Sequence, residues 1–139
     1  MTVKRVSPEE AKQLIDREGY VYVDVRSLPE FEAGHPAGAY NVPLMHQGPG
    51  GMTPNPDFLG VMEKSFPKDA KLVVGCKAGG RSAKAAAVLE SAGFTSVVDQ
   101  KAGYEGPSPL ERGWRPKGLP TSTQAAADHT YEGLRAGKP

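Results

Sequence analysis

Apolar residues fall in short blocks separated by polar or glycine-bearing breaks. Tyr20-Val21-Tyr22-Val23-Asp24-Val25 is β-branched and aromatic, which predicts a buried strand. Residues 39–42 predict a second short strand, ended by Pro43. Residues 71–75 and 95–98 predict a third and a fourth. Between them the pattern changes to helical. Ser7 reads as an N-cap, Pro8 as the first helical residue and Glu10 as the return partner of a capping box, so a helix is expected to about Glu18, stopping at Gly19. A short helical segment is expected over 29–33. Residues 57–65 place Phe58, Val61 and Met62 on one face, and 81–92 is alanine-rich and closed by Gly93. Residues 46–56 are rich in glycine and proline and predict a surface loop.

Strands alternating with helices predict an α/β fold, with a largely parallel central sheet flanked by helices. Residues 101–139 contain Gly103, Gly106, Pro107, Pro109, Gly113, Pro116, Gly118 and Pro120, so they are expected to wrap the surface, with a terminal helix over 121–136. The 139 residues suit one domain over 1–139, with a core of about 5–120 and a C-terminal tail of 121–139. With 38% hydrophobic and 24% charged residues the chain can form an ordinary packed core. Its formal net charge of +1 argues against a nucleic-acid partner held by bulk electrostatics. No apolar run approaches a membrane span, and Met1 to Glu10 lacks the apolar region of a secretory signal. A cytoplasmic location is therefore expected. A single cysteine cannot form an internal disulfide, which agrees with a reducing compartment.

That cysteine carries the chemistry. In Cys76-Lys77-Ala78-Gly79-Gly80-Arg81-Ser82 a buried strand delivers Cys76, and a helix follows within a turn. Ligands of open α/β sheets bind just beyond the carboxyl ends of strands, and a helix start there offers free N–H groups and a positive dipole end. Gly79 and Gly80 let the backbone curl into a nest of inward N–H groups. A cysteine at the floor of such a nest is expected to favour its thiolate, as cysteines near helix N-termini and basic neighbours generally do. Taken singly, each residue has a plainer reading: Cys76 as a small buried hydrophobe, the glycines as a turn, Lys77 as a surface charge, Arg81 as an ion pair pinning the loop.

The segment Cys76 to Ser82 resembles the active-site loop of rhodanese domains. Asp24-Val25-Arg26, then Glu30-Phe31 and the run from Gly34 to Pro43, resemble the family's first signature. Trp114 with Gly118-Leu119-Pro120 resembles its closing one. The resemblance covers roughly residues 5–120, and the insert around 48–58 is similar to single-domain members of bacteria and plants. Two departures stand out: Ala102-Gly103 occupies the place of a common glycine pair, and 105–112 reads as an insertion.

The resemblance implies a sulfurtransferase. Cys76 would attack the outer sulfur of thiosulfate or a related small anionic donor and carry it as a persulfide among the N–H groups of Lys77, Ala78, Gly79, Gly80, Arg81 and Ser82. A thiol, cyanide or a sulfur-acceptor protein would then take it. Asp24 and Arg26 would support the loop through ion pairs. No cofactor is implied, and no His, Cys and carboxylate spacing suggests a metal. Phosphatases and arsenate reductases on this fold place five residues between cysteine and arginine. Four lie here, which suits one sulfur atom better than a tetrahedral phosphate. A non-catalytic binding module of the same fold is the other alternative, against which the intact Cys76 argues. Elsewhere, His35 reads as a structural hydrogen-bonding residue, His46 and His129 as exposed, and Tyr104 with Trp114 either as an apolar rim over the loop or as core.

Overall fold

The structure is a computed structural model that describes residues 3–136; residues 1–2 and 137–139, the two ends of the expected domain, lie outside it. Its elements run β1 (Lys4–Val6), α1 (Pro8–Glu18), β2 (Val21–Asp24), α2 (Leu28–Ala33), β3 (His35–Pro36), β4 (Tyr40–Asn41), β5 (Met45–Gly48), β6 (Gly51–Pro54), α3 (Phe58–Ser65), β7 (Lys71–Gly75), α4 (Gly80–Ser91), β8 (Ser96–Gln100), β9 (Thr121–Ser122), a 3₁₀ turn (Ala127–His129) and α5 (Tyr131–Arg135). The central sheet has five strands in the order β1-β8-β7-β2-β4, and every pairing in it is parallel. A parallel sheet must be covered on both faces, and the two cores show that it is. Val23, Leu72, Val74 and Val97 join Val61, Met62, Ala85, Ala86 and Leu89 on one side. Tyr22, Val73 and Val98 join Ala11, Phe31, Tyr104 and Trp114 on the other. Neighbouring strand residues thus serve opposite layers, as the two-residue side-chain period requires.

The capping box at Ser7 and Glu10 forms, and α1 ends at Gly19. Two expectations need correction, and a third difference is an element for which the sequence raised no expectation. Residues 46–56 are not an open loop: Met45–Gly48 pairs antiparallel with Gly51–Pro54, and only the Gly48-Pro49-Gly50-Gly51 centre turns. Both strands are largely exposed, so no apolar alternation marks them. Residues 121–136 form no single helix. Thr121–Ser122 pairs with His35–Pro36, a 3₁₀ turn follows, and the helix is confined to Tyr131–Arg135, capped by Thr130. Tyr131 is buried in the core beneath this segment, so the tail packs as part of the domain. The third difference is β1, whose three residues form the edge beside β8.

His46 and His129 are half-buried rather than exposed. His129 stacks on Tyr40 at 3.7 Å, and its Nδ1 lies 3.1 Å from the Gly38 carbonyl oxygen. Trp114 is a core residue, edge-on to Tyr22 at 5.3 Å, with Nε1 donating to the Pro120 carbonyl. His35 stacks on Phe31, and its ring nitrogens face the Phe31 and Gln124 carbonyl oxygens at 2.8 and 2.9 Å.

The turn leaving β8 is built on Gln100, which is fully buried. Its Oε1 accepts from the N–H groups of Ala102 and Gly103, while Nε2 donates to the Gly103 carbonyl and the Tyr22 hydroxyl. Gln100→Ala would leave those groups buried without partners, at about 1–3 kcal/mol per unsatisfied group. We expect the variant to lose at least about 2 kcal/mol in urea denaturation. A loss under about 0.5 kcal/mol would show that the turn holds itself.

Candidate active site

β7 ends at Gly75, beside Asp24 at the end of β2. Any side chain at 75 would collide with the Tyr22 ring, its Cβ only 1.9 Å from the hydroxyl, so glycine is required where the strand hands over to Cys76. Cys76 is 2% exposed. Its Sγ accepts a hydrogen bond from the Gly79 N–H at 3.0 Å and lies 3.5 Å from Ser82 Oγ. Gly80, Arg81 and Ser82 open α4, so their N–H groups have no acceptor within the helix.

The loop carbonyls explain how the remaining N–H groups are aimed. The Cys76 carbonyl accepts from Tyr104 N at 2.7 Å, and that of Lys77 from Glu105 N and Gly106 N at 3.0 and 3.2 Å. The Gly79 carbonyl accepts from Ala83 N, Ser82 Oγ and Arg5 Nη2 at 3.2, 3.3 and 3.3 Å. No peptide bond here is cis. In a trans peptide the C=O and the following N–H point in opposite directions. Tying these three carbonyls to the surrounding chain therefore turns the N–H groups of Lys77, Ala78 and Gly80 away from it, toward the concave side that Gly79 N–H and Cys76 Sγ share.

Glycine is needed at two contacts of this arrangement. Gly79 has φ +105, and a Cβ there would sit 2.2 Å from the Lys101 carbonyl oxygen. Gly103 has φ +76, and its Cβ would sit 2.5 Å from the Lys77 carbonyl. Ala102 has no such need, so the departure from a glycine pair leaves the close contact intact. The 105–112 insertion starts with Glu105 and Gly106, the donors to Lys77, so its first residues belong to the loop's support.

Asp24 and Arg26 form a buried pair. Arg26 Nη2 donates to Asp24 Oδ2 at 2.7 Å and to the Gly34 carbonyl at 2.6 Å, and its guanidinium lies 4.3 Å over the Tyr104 ring. Tyr104 is in turn the residue whose N–H holds Cys76, so the pair bears on the loop through that ring. Arg81 is not a free anion clamp. Its two terminal nitrogens donate to the two oxygens of Glu30 at 2.7 and 3.0 Å. Glu30 went unweighted in the sequence, although Ser27 three residues before it is a readable capping signal; Glu30 Oε1 also accepts from Ser27 N and Oγ. Gln100, Arg5 and Asp99 also escaped sequence reasoning.

A cleft of about 240 Å³ opens beside the loop, lined by Arg26, Glu30, Gly34, Lys77, Tyr104 and Arg115. Lys77, which lines it, is exposed, as are Ala78 and Gly80 of the loop. Larger clefts, of about 500 and 340 Å³, lie under the C-terminal segment and include no loop residue. Among the described residues no group of three or more His, Cys, Asp or Glu is placed to hold a metal ion, and no helix is long and apolar enough to cross a membrane.

The protein is thus an α/β domain whose parallel five-stranded sheet presents one cysteine, at a strand end, in a loop beside a helix start. The sequence pattern of the Rhodanese-like domain matches residues 7–108, and the chain belongs to that family. It is 46% identical over 103 residues to Thiosulfate sulfurtransferase 16, chloroplastic, of Arabidopsis thaliana, covering 74% of this chain and 80% of the relative. It is 40% identical over 97 residues to Senescence-associated protein DIN1 of Raphanus sativus, covering 70% of this chain but only 53% of that longer relative. The crystal structure of Rv0390 from M. tuberculosis superposes with a TM-score of 0.74 at 28% identity, over 89% of this chain and all of that one.

The Arg81–Glu30 pair yields a pH prediction. Burial acts to raise the Glu30 carboxyl, but hydrogen bonds from Arg81 and Ser27 outweigh it and hold it at about 2, against an ordinary 4.5. A carboxylate lowered in the folded state stabilises above its unfolded value and loses that contribution as pH falls toward its folded value. The stability gap between wild type and Glu30→Gln should be full above pH 4.5 and close between there and about 2. Urea titrations across that range measure it, and a gap independent of pH would show that Glu30 is not held by charge.

Proposed function

We propose that the chain is a rhodanese-type sulfurtransferase that moves sulfane sulfur from thiosulfate, or a similar small anion, through a Cys76 persulfide. The carrying observation is the placement of Cys76 Sγ against the Gly79 N–H, at the floor of a loop whose carbonyls are tied outward. The Cys76 thiolate attacks the outer sulfur of thiosulfate. The new S–S bond forms as the old one breaks, and sulfite leaves with its electron pair. The terminal persulfide sulfur then carries the negative charge, among the N–H groups of Lys77, Ala78, Gly79, Gly80, Arg81 and Ser82. Oriented N–H donors stabilise such a charge without reorganising. Cyanide or a thiolate attacks that sulfur, takes it, and returns the Cys76 thiolate. The name of the Arabidopsis relative agrees with this chemistry. Lys77, exposed at the cleft, draws the anion. Arg81 acts through Glu30, closing the loop against α2, and Asp24 with Arg26 supports it through Tyr104.

Phosphate or arsenate chemistry fits less well. The loop is one residue short of the spacing those enzymes use, and the arginine fork that would grip a tetrahedral oxyanion is filled by Glu30. A purely binding role leaves the Gly79 N–H held against the thiol without a task.

Thiosulfate should leave on the intact protein a species heavier by one sulfur atom, which cyanide removes. Cys76→Ser should form none and lose at least about a thousandfold in thiosulfate:cyanide turnover. Mass spectrometry and a thiocyanate assay measure both. An unmodified wild type across several donors, or efficient hydrolysis of aryl phosphates, would overturn the assignment.

A further inference from the structure

Asp99, near the end of β8, is 1% exposed, and its Oδ1 has no hydrogen-bond partner among the described residues. Its Oδ2 accepts from Arg5 Nε at 2.8 Å. A buried carboxylate with one oxygen unmatched is costly, and the pairing charge comes from the half-exposed Arg5 on edge strand β1. The pairing has a consequence for the loop. An arginine side chain free in solvent samples many rotamers. Held by Asp99 at Nε, the guanidinium presents Nη2 to the Gly79 carbonyl at 3.3 Å.

The other two donors to that carbonyl, Ala83 N and Ser82 Oγ, belong to α4 itself and move with it. Arg5 alone ties the Gly79–Gly80 peptide to the sheet among the contacts described. The register supports the reach: β1 pairs Arg5 with Asp99, and Lys101 N continues the pairing by donating to the Val6 carbonyl. Gly79 is pressed against the same corner, since a Cβ there would meet the Lys101 carbonyl and Arg5 Nη2.

We propose that Arg5, aimed by the buried Asp99, is a positioning residue of the sulfur-transfer loop: it fixes the Gly79 carbonyl and thereby turns the Gly80 N–H toward the bound anion. This rests on the sulfurtransferase reading for its turnover assay, but not for its binding assay. Arg5→Lys keeps a charge for Asp99 but loses the rigid fork whose separate nitrogens serve Asp99 and Gly79. Arg5→Met with Asp99→Asn removes both partners without stranding a charge.

Both proteins should remain folded, and Arg5→Lys should unfold within about 3 °C of wild type, because it changes a half-exposed side chain and keeps the charge that faces Asp99. Both should lose about tenfold in kcat/KM for thiosulfate, the scale of a misaligned donor. A folded variant with wild-type kcat/KM overturns the proposal. In Cys76→Ser, which cannot turn over, the Gly80 amide resonance should shift as thiosulfate is added, with about tenfold weaker affinity once Arg5→Lys is included. Equal affinities, or no shift in either protein, also overturn it. A wild type without sulfur transfer would remove the functional reading instead, and the Gly80 titration would still decide the role of Arg5.

Discussion

The functional end of this molecule depends on one constraint: the carbonyls of Cys76, Lys77 and Gly79 must all find partners outside the loop. A backbone peptide has a donor at one side and an acceptor at the other, and buried ones are rarely left unpaired. Three donors from the 104–106 segment hold two of the carbonyls, and Arg5 with α4 holds the third. If any carbonyl turned inward, the loop would present a repulsive oxygen to an anion and lose the donor beside it. The remaining architecture reads as support. Gln100 shapes the turn that brings Tyr104 to Cys76, Gly103 allows the chain to touch Lys77, and Arg26 braces the Tyr104 ring.

Much of this was legible in the sequence, for local reasons. Ser7, Pro8 and Glu10 announce α1 because a capping box needs only four neighbouring residues. Leu72, Val73 and Val74 announce a central strand because a parallel sheet buries both faces. Cys76 stood out because a buried strand meets a helix across Gly79 and Gly80. What stayed hidden was non-local. β1 is three residues long, and two of them, Lys4 and Arg5, are exposed, so no pattern marks it. The 45–54 hairpin buries almost nothing, and the tail takes its form from Thr121 and Ser122 pairing with β3. Glu30 and Arg81 lie 51 residues apart, and Arg5 and Asp99 lie 94 apart. Only the folded sheet makes such partners neighbours.

The charges around the loop divide by that same distinction. Arg81 is committed to Glu30, Arg26 to Asp24, Arg115 to Glu105 and Arg5 to Asp99. Of these pairs the sequence placed only Asp24 with Arg26; Arg81, the arginine nearest the cysteine along the chain, is neutralised by Glu30, a partner the sequence did not indicate. The ion pairs rigidify, and the donors left at the loop are backbone N–H groups and the helix start. Backbone donors have fixed direction and no rotamers to order, so they lose little entropy on binding. They also carry no charge of their own. On the proposed sulfurtransferase reading, such donors suit the single negative charge of a persulfide's terminal sulfur. The spacing of four residues and the filled Arg81 fork thus point the same way from independent geometry. On the proposed reading, sulfur carried on the single cysteine at the bottom of the loop has no second cysteine of this sequence to pass to, so an acceptor would enter past Lys77 and the Tyr104 edge to collect it.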